Sequence, residues 1–217
     1  MKKVLMLLLA AGLACLVPAL AEEIPAAIQA DGAVSLSTAL PEALYPVLTG
    51  NAAFETQDGM RTMDALADCF GFEVPVVAAD FAVLDMDGDA LMEAVVRAAI
   101  GSDDLGFLVL DAQADGVYGY AFPLRAMLAL KQDGTFSFSS GAMDNGVGIA
   151  SFAGAAAEVT ELAHCEDGGD GAPVYALCGV TVAEDAYETF LRAQDEKPDV
   201  DWCPFTQAQL EAWFAAR

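Results

Sequence analysis

The sequence predicts an α+β fold in which an antiparallel β-meander carries helices at its N-terminal and C-terminal ends. Two observations support this fold class. Apolar residues recur at helical spacing before residue 71 and again after residue 182, and between these regions the apolar period changes to two. In this middle region, short apolar runs are separated by turns that contain Gly and Asp. Helices followed by a run of strands and then by helices are typical of α+β proteins.

Two helices are predicted ahead of the meander. The first covers 40–48, and Pro46 should shorten it because proline lacks a backbone N–H. The second covers 63–70, where apolar residues repeat at intervals of three and four after Thr62. Gly71 can end that helix, because glycine readily takes the left-handed conformation that is common at helix C-termini.

The strands of the meander are predicted from apolar runs and from alternation. They cover 81–84, 94–96, 107–110, 117–122, 127–130, 135–138, 149–153, 158–164 and 173–178. The strongest turn signal is Gln132-Asp133-Gly134, between the fifth and sixth of these strands, because glycine supplies the positive φ that hairpin turns need. Two helices, 183–194 and 206–214, should close the fold, and Thr206 with Gln209 resembles a capping box.

The first 21 residues predict a secretory signal peptide. Lys2 and Lys3 precede an apolar run that ends in small residues before the acidic pair at 22–23. We expect cleavage after Ala21, a flexible N-terminal lead over 22–37, and one α+β domain over 38–217 with no transmembrane segment in the mature chain. A second interpretation is a lipoprotein anchored through Cys15, although the residues after Cys15 stay apolar. The expected location is secreted or on the bacterial cell surface.

Charge and composition exclude several classes of protein. The chain has 33 Asp and Glu against 9 Lys and Arg, a net charge of −24. Cleavage of the signal peptide would remove two cations and no acid, so the mature charge becomes −26. Nucleic-acid phosphates require clustered cations, so we expect no nucleic-acid partner. A hydrophobic fraction of 56% excludes a disordered acidic tail, and the acidic surface should attract cations.

One acidic segment has the spacing of a metal loop, Asp85-Met86-Asp87-Gly88-Asp89-Ala90-Leu91-Met92-Glu93. Calcium prefers six to eight hard oxygen ligands, which carboxylates and a backbone carbonyl can supply from one tight loop. The predicted ligands are the carboxylates of Asp85, Asp87 and Asp89, the backbone carbonyl of Leu91, and Glu93 directly or through water. Without a cation these four carboxylates would repel one another. The sequence therefore predicts one structural calcium site.

The loop is not an EF-hand, because position 12 is Val96 rather than a bidentate Glu. Its flanks are strand-like, and 81–96 resembles the strand–loop–strand calcium motif of FG-GAP and VCBS repeats. Those repeats stack into a propeller, whereas this chain has a single copy, so the propeller is not implied. The repeats have a glycine where this chain has Ala90, and the positive φ usual there costs a residue with a Cβ roughly 1 kcal/mol. An acidic β-turn without an ion is the alternative interpretation.

Other candidate sites are weaker. The segment 111–116 resembles the start of a second calcium loop, but Gly119 and Phe122 fall where later ligands belong, which predicts a hairpin turn. His164 is the only histidine, and no serine, zinc or cysteine hydrolase motif accompanies it, so we predict a strand residue. The chain is therefore more typical of a non-enzymatic protein. A carboxylate-pair glycosidase remains open, because 33 acids guarantee that some pair exists.

Four cysteines follow the signal peptide, namely Cys69, Cys165, Cys178 and Cys203. An even number in an exported chain permits two disulfides with three possible connectivities. Cys165 and Cys178 flank an acidic, Gly-rich loop and could pair across a hairpin. The alternative interpretation is that these residues are small buried hydrophobes.

A resemblance covers residues 40–215. It is carried by the segments 119–120, 122–125, 130–142, 144–146 and 202–206, of which Leu130-Lys131-Gln132-Asp133-Gly134-Thr135-Phe136-Ser137-Phe138-Ser139-Ser140-Gly141-Ala142 is the most specific. The chain is similar there to a family of uncharacterised secreted proteins and lipoproteins of Gram-positive gut bacteria. The resemblance implies export, a single small domain and the acidic loop at 85–93. It implies no activity, substrate or catalytic residue.

Three functions are compatible with the sequence. The favoured one is a secreted non-enzymatic module with a structural calcium site, which binds a protein or glycan partner at the cell surface. The second is an extracellular carboxylate-dependent glycan hydrolase. The third is a metal-free structural surface protein, which a loop impaired by Ala90 would favour.

Overall fold

Two stacked β-sheets form the centre of the fold, and helices cover both outer faces. The computed structural model describes residues 42–169 and 171–215, all of which belong to the unit Ser35–Arg217. The predicted signal peptide, Cys15 and the lead at 22–37 lie outside the described residues. Within the two described ranges, no helix has the length and apolarity needed to cross a membrane.

The helices lie towards the two ends of the described chain, and most of the strands lie between them. The helices are α1 (Leu44–Leu48), α2 (Leu66–Cys69, after a 3₁₀ turn at Met63–Ala65), α3 (Glu184–Asp195) and α4 (Gln207–Ala215). The strands are β1 (Phe54–Thr56), β2 (Gly59–Arg61), β3 (Val77–Leu84), β4 (Glu93–Ile100), β5 (Asp103–Gln113), β6 (Gly116–Pro123), β7 (Thr135–Gly141), β8 (Asp144–Ala153), β9 (Ala156–Asp167), β10 (Pro173–Leu177), β11 (Val180–Val182) and β12 (Cys203–Pro204). The predicted fold class is confirmed.

The strands form one larger and one smaller sheet. The larger sheet has the order β12-β3-β4-β5-β6-β1-β2, and the smaller has the order β11-β10-β9-β8-β7. Strands β3 to β6 are a meander, as are β7 to β11, and the one parallel pairing within the described part of the chain joins β1 to β6. A meander is thus the dominant topology of each sheet.

Three apolar layers hold the sheets and helices together. In the larger sheet, Val96 and Leu108 face α1, α2 and α4, whereas Val95 and Val109 face the smaller sheet. The other face of the smaller sheet packs against α3 through residues such as Tyr187. Because both faces of the larger sheet are buried, β4 and β5 each contain a run of apolar residues, which is typical of strands covered on both sides.

One local prediction was wrong. The segment 127–130 is not a strand, because Ala129 has a φ of +45° and only Leu128 bridges to Ser137. The turn at 132–134 is present, and Gly134 has the predicted positive φ of +78°. The strand that pairs with β7 along its length is β8.

The hairpin disulfide between Cys165 and Cys178 does not form. Cys165 is a free thiol, as are Cys69 and Cys203. The physical reason is register, since the pairing of β9 with β10 puts Cys165 opposite Tyr175. Burial raises the pKa of the Cys165 thiol, consistent with the alternative interpretation of this residue as a small buried hydrophobe.

Candidate functional site: the acidic loop between β3 and β4

The predicted metal loop connects two adjacent strands of the larger sheet. Strand β3 ends at Leu84 and β4 begins at Glu93, and these two residues are paired across the ladder. The strand–loop–strand arrangement expected from the sequence is therefore present. Because the loop starts and ends on one rigid ladder, the ends of the acidic segment are held side by side.

Backbone N–H groups of the loop orient its aspartates. The two carboxylate oxygens of Asp85 accept from the N–H of Gly88 at 2.7 Å and of Ala90 at 3.1 Å. Asp89 accepts from the N–H of Leu91 at 2.7 Å, and Asp87 accepts from the N–H of Asp89 at 3.2 Å. These bonds curl the loop around its own carboxylates.

The same curl brings three of the predicted ligands together. One carboxylate oxygen from each of Asp85, Asp87 and Asp89 lies within 4.8 Å of the other two. Burial raises the pKa of Asp87, and the negative charge of Asp89 raises it further. Three convergent carboxylate oxygens are hard ligands of the kind that calcium prefers.

Glu93 is not one of the three residues whose carboxylate oxygens converge. Glu93 is 1% exposed, and its Oε2 accepts from the backbone N–H of Met86 at 2.7 Å. Burial raises the pKa of Glu93 to about 8, with a further contribution from the charge of Asp87. The side chain of Leu91 is 48% exposed.

Ala90 takes the conformation expected for the glycine of the related motifs. Its φ is +70°, and that of Gly88 is +81°. Left-handed backbone costs an L-residue with a Cβ about 1–2 kcal/mol. The positive φ expected at this position is therefore present, and it is strained because Ala90 carries a Cβ.

Asp111 is a further acidic neighbour that the sequence did not reveal as part of this site. Leu110 of β5 pairs with Ala94 of β4, so the register brings Asp111 beside Glu93. Asp111 is 6% exposed, and burial together with the charge of Asp89 raises its pKa. The one available signal was an acid at the end of an apolar strand. Asp111 belongs to the β5–β6 hairpin, where the sequence predicted a hairpin turn at 111–116. It also borders the acidic loop.

Two contacts tie this region to the rest of the fold. A Cβ on Gly134 would lie 2.5 Å from the carbonyl oxygen of Met86, so the 132–134 turn packs directly on the loop. Gln113 donates to Asp111 at 2.7 Å and to the hydroxyl of Tyr120 at 3.0 Å. The Tyr120 hydroxyl donates to the carbonyl of Gly154 at 2.5 Å, which links the larger sheet to the β8–β9 turn.

His164 lies in β9 of the smaller sheet, away from the acidic loop. Its Nε2 lies 2.9 Å from Asp144 and its Nδ1 lies 3.2 Å from Glu161. Ser140 donates to Asp144 rather than to the imidazole. The predicted role of His164 as a strand residue is consistent with its position within β9.

Comparison with family models, with curated proteins and with solved structures gave no match. The resemblances to the FG-GAP and VCBS calcium motif and to secreted proteins of gut bacteria therefore stay predictions.

Proposed function

We propose that the protein is a secreted, non-enzymatic surface module with one structural calcium site in the loop between β3 and β4. The observation that carries this proposal is the convergence of oxygens from Asp85, Asp87 and Asp89 within 4.8 Å of one another. Its ligands would be these three carboxylates, the Leu91 carbonyl, and Glu93 directly or through water. Calcium coordination requires several oxygen ligands, such as carboxylates and backbone carbonyls.

Electrostatics supports a bound cation. Glu93 and Asp111 are buried beside the loop, and the charges of Asp87, Asp89 and Asp111 all raise the pKa of Glu93. A divalent cation would offset this repulsion and favour the ionised carboxylates. The ion would thereby join β3, β4 and, through Asp111, the end of β5.

The surface role of the module rests on export and charge. The predicted signal peptide delivers a domain with a charge of −26 to the cell exterior. We propose that this domain binds a protein or glycan partner at the cell surface. A lipid on Cys15 would tether it, and cleavage after Ala21 would release it.

The glycan hydrolase alternative receives less support. A catalytic carboxylic acid needs a raised pKa and contact with substrate. Glu93 has a pKa of about 8 but is 1% exposed, and Asp111 is 6% exposed. Neither of these two side chains can reach a polymeric sugar in this conformation, and half-buried Asp87, whose pKa burial also raises, is one of the proposed calcium ligands.

Thermal unfolding tests the calcium site. The exported protein is heated with excess EDTA and with 1, 5 and 10 mM calcium, alongside Asp87→Ala and the exposed control Asp195→Ala on α3. Ligand at one hundred times its Kd adds about 2.7 kcal/mol to the free energy of unfolding, so the midpoint should rise by several degrees. The rise should disappear in Asp87→Ala and persist in Asp195→Ala. An unchanged midpoint at 10 mM calcium would favour the metal-free structural protein.

A further inference from the structure

Strand β6 has an unpaired edge along part of its length. Its neighbour on one side is β5, and on the other side β1 contacts it through a single bridge between Glu55 and Tyr118. β1 then ends at Thr56, where the chain turns away into β2. Among the described residues, no strand pairs with the outer edge of β6 after Tyr118.

The register identifies the backbone groups on this edge. Gln113 and Gly116 flank the two-residue turn between β5 and β6, and the residues flanking such a turn exchange both backbone hydrogen bonds. Every second residue from Gly116 therefore exchanges backbone hydrogen bonds with β5, and Tyr120 is one of these residues. Ala121 lies between two of them, so its N–H and C=O point outward, away from β5. Ala121 is exposed, and among the described residues no hydrogen bond outside the strand ladders uses its backbone groups.

A groove of about 310 Å³ runs along this edge. The edge residue Ala121 lines it, together with Ala155 and Ala157 from the smaller sheet. These small side chains leave space for a second backbone to approach. The rim carries two carboxylates, Asp58 and Asp68, and one cation, Arg61.

We propose that this groove binds a short extended peptide carrying lysine or arginine, which adds to the larger sheet as a strand beside β6. Strand addition derives its affinity from main-chain hydrogen bonds, which the unpaired groups of Ala121 can make. The excess of carboxylates on the rim and the net charge of −24 favour a cationic partner. The inference rests on the partner-binding part of the proposed function and does not require the calcium ion.

Two features favour a short peptide over a second copy of the chain. Pro123 ends β6, and proline has no N–H to donate, so the open edge is only a few residues long. Pairing of two β6 edges would also bring Asp58 and Asp68 of both copies together, and like charges at an interface are unfavourable.

The probe is a fluorescein-labelled pentapeptide of alternating valine and lysine, titrated with the exported protein up to 1 mM and followed by fluorescence anisotropy. The matched peptides replace lysine with glutamate or carry N-methyl groups on all backbone amides. We expect the lysine peptide to bind at least tenfold more tightly than either. Equal affinity for the three peptides, or no binding below 1 mM, would overturn the proposal.

Variants test the groove itself. Ala121→Pro removes the outward N–H and should weaken binding of the lysine peptide at least tenfold, with an unchanged unfolding midpoint because that N–H does not pair with β5. Asp58→Asn with Asp68→Asn should weaken binding threefold to tenfold, whereas Glu188→Gln on α3 with Glu196→Gln directly after that helix should leave it unchanged. If Ala121→Pro unfolds, the charge variants and the N-methylated peptide still decide the question.

Two controls separate this proposal from its alternatives. A dimer by size-exclusion chromatography that Ala121→Pro converts to a monomer would show that a second copy occupies the edge, which contradicts the cationic peptide. Peptide binding should persist in EDTA and in Asp87→Ala, provided that the circular dichroism spectrum is that of the folded protein. Failure of the calcium site and failure of the groove are thereby distinguishable.

Discussion

Each sheet packs against apolar neighbours on both faces, but burial along the strands is much more complete in the larger sheet than in the smaller one. Strand β4 is buried or half-buried at every position, while most of β9 is exposed. The larger sheet carries both proposed sites, the acidic loop and the β6 groove. The smaller sheet carries the polar pairs of His164. The difference indicates that the larger sheet is the rigid scaffold that positions binding groups.

Matched leucine-to-alanine substitutions in the two sheets should give the largest difference in the free energy of unfolding. Leu108 of β5 is fully buried between strands and helices, and Leu162 of β9 is 8% exposed. We expect Leu108→Ala to lower the free energy of unfolding by about 4 kcal/mol and Leu162→Ala by about 2 kcal/mol, because a well-enclosed cavity cannot collapse. Urea unfolding measures both. Equal losses would show that the smaller sheet is as tightly packed as the larger one.

A pair of glycine substitutions compares the two sheets at their loops. Gly134 has a φ of +78° and its Cβ would clash with the backbone of Met86, whereas Gly154 has a φ of +54° and open space around its Cα. Gly134→Ala should cost about 3 kcal/mol through backbone strain and displacement of the acidic loop, and Gly154→Ala about 1 kcal/mol. Calcium titration of Gly134→Ala should also show a weaker response. A cost at Gly134 no greater than at Gly154 would contradict the close packing of the 132–134 turn on the loop.

The extent of the sequence prediction follows from which interactions are local. The meander around β4 and β5 was predictable, because period-two alternation and turn glycines are local signals. The irregular segment that replaces the predicted strand at 127–130 was not, since alanine rarely adopts the positive φ that Ala129 has here. Asp111 entered the candidate site through strand register, which a single sequence does not show. The division into two sheets is likewise a property of non-local pairing.

Two alanines with positive φ allow the strain in the acidic loop to be measured. Ala90 lies in the loop with a φ of +70°, and Ala129 lies outside it with a φ of +45°. Ala90→Gly and Ala129→Gly should each raise the free energy of unfolding by about 1 kcal/mol in EDTA, because glycine tolerates left-handed backbone. Only Ala90→Gly should increase calcium affinity, as measured by isothermal titration calorimetry. A similar gain in Ala129→Gly would mean that the benefit is general stability rather than loop geometry.

The smallest expected effect lies in the smaller sheet, at the pair formed by His164 and Asp144. The hydrogen bond to Asp144 raises the pKa of His164, and the charges of Glu161 and Glu166 act in the same direction. Hydrogen bonds from Ser140 and His164 lower the pKa of Asp144.

Because its pKa is raised, His164 stabilises the fold at pH values below its unfolded pKa of 6.5, and this stabilisation is lost as the pH rises through the folded pKa. Because its pKa is lowered, Asp144 stabilises the fold at pH values above its unfolded pKa of 3.8, and this stabilisation is lost as the pH falls through the folded pKa. The pair should therefore stabilise the fold most between about pH 4 and 6.5. The midpoint of unfolding should decline from pH 6 to pH 8 in EDTA, because Glu93 as well as His164 has a raised pKa, and His164→Gln should make that decline slightly smaller because glutamine does not titrate. The same decline in His164→Gln would show that other groups cause it. A midpoint that rises with pH in the unsubstituted protein but not in His164→Gln would mean that the pair of His164 and Asp144 destabilises the fold.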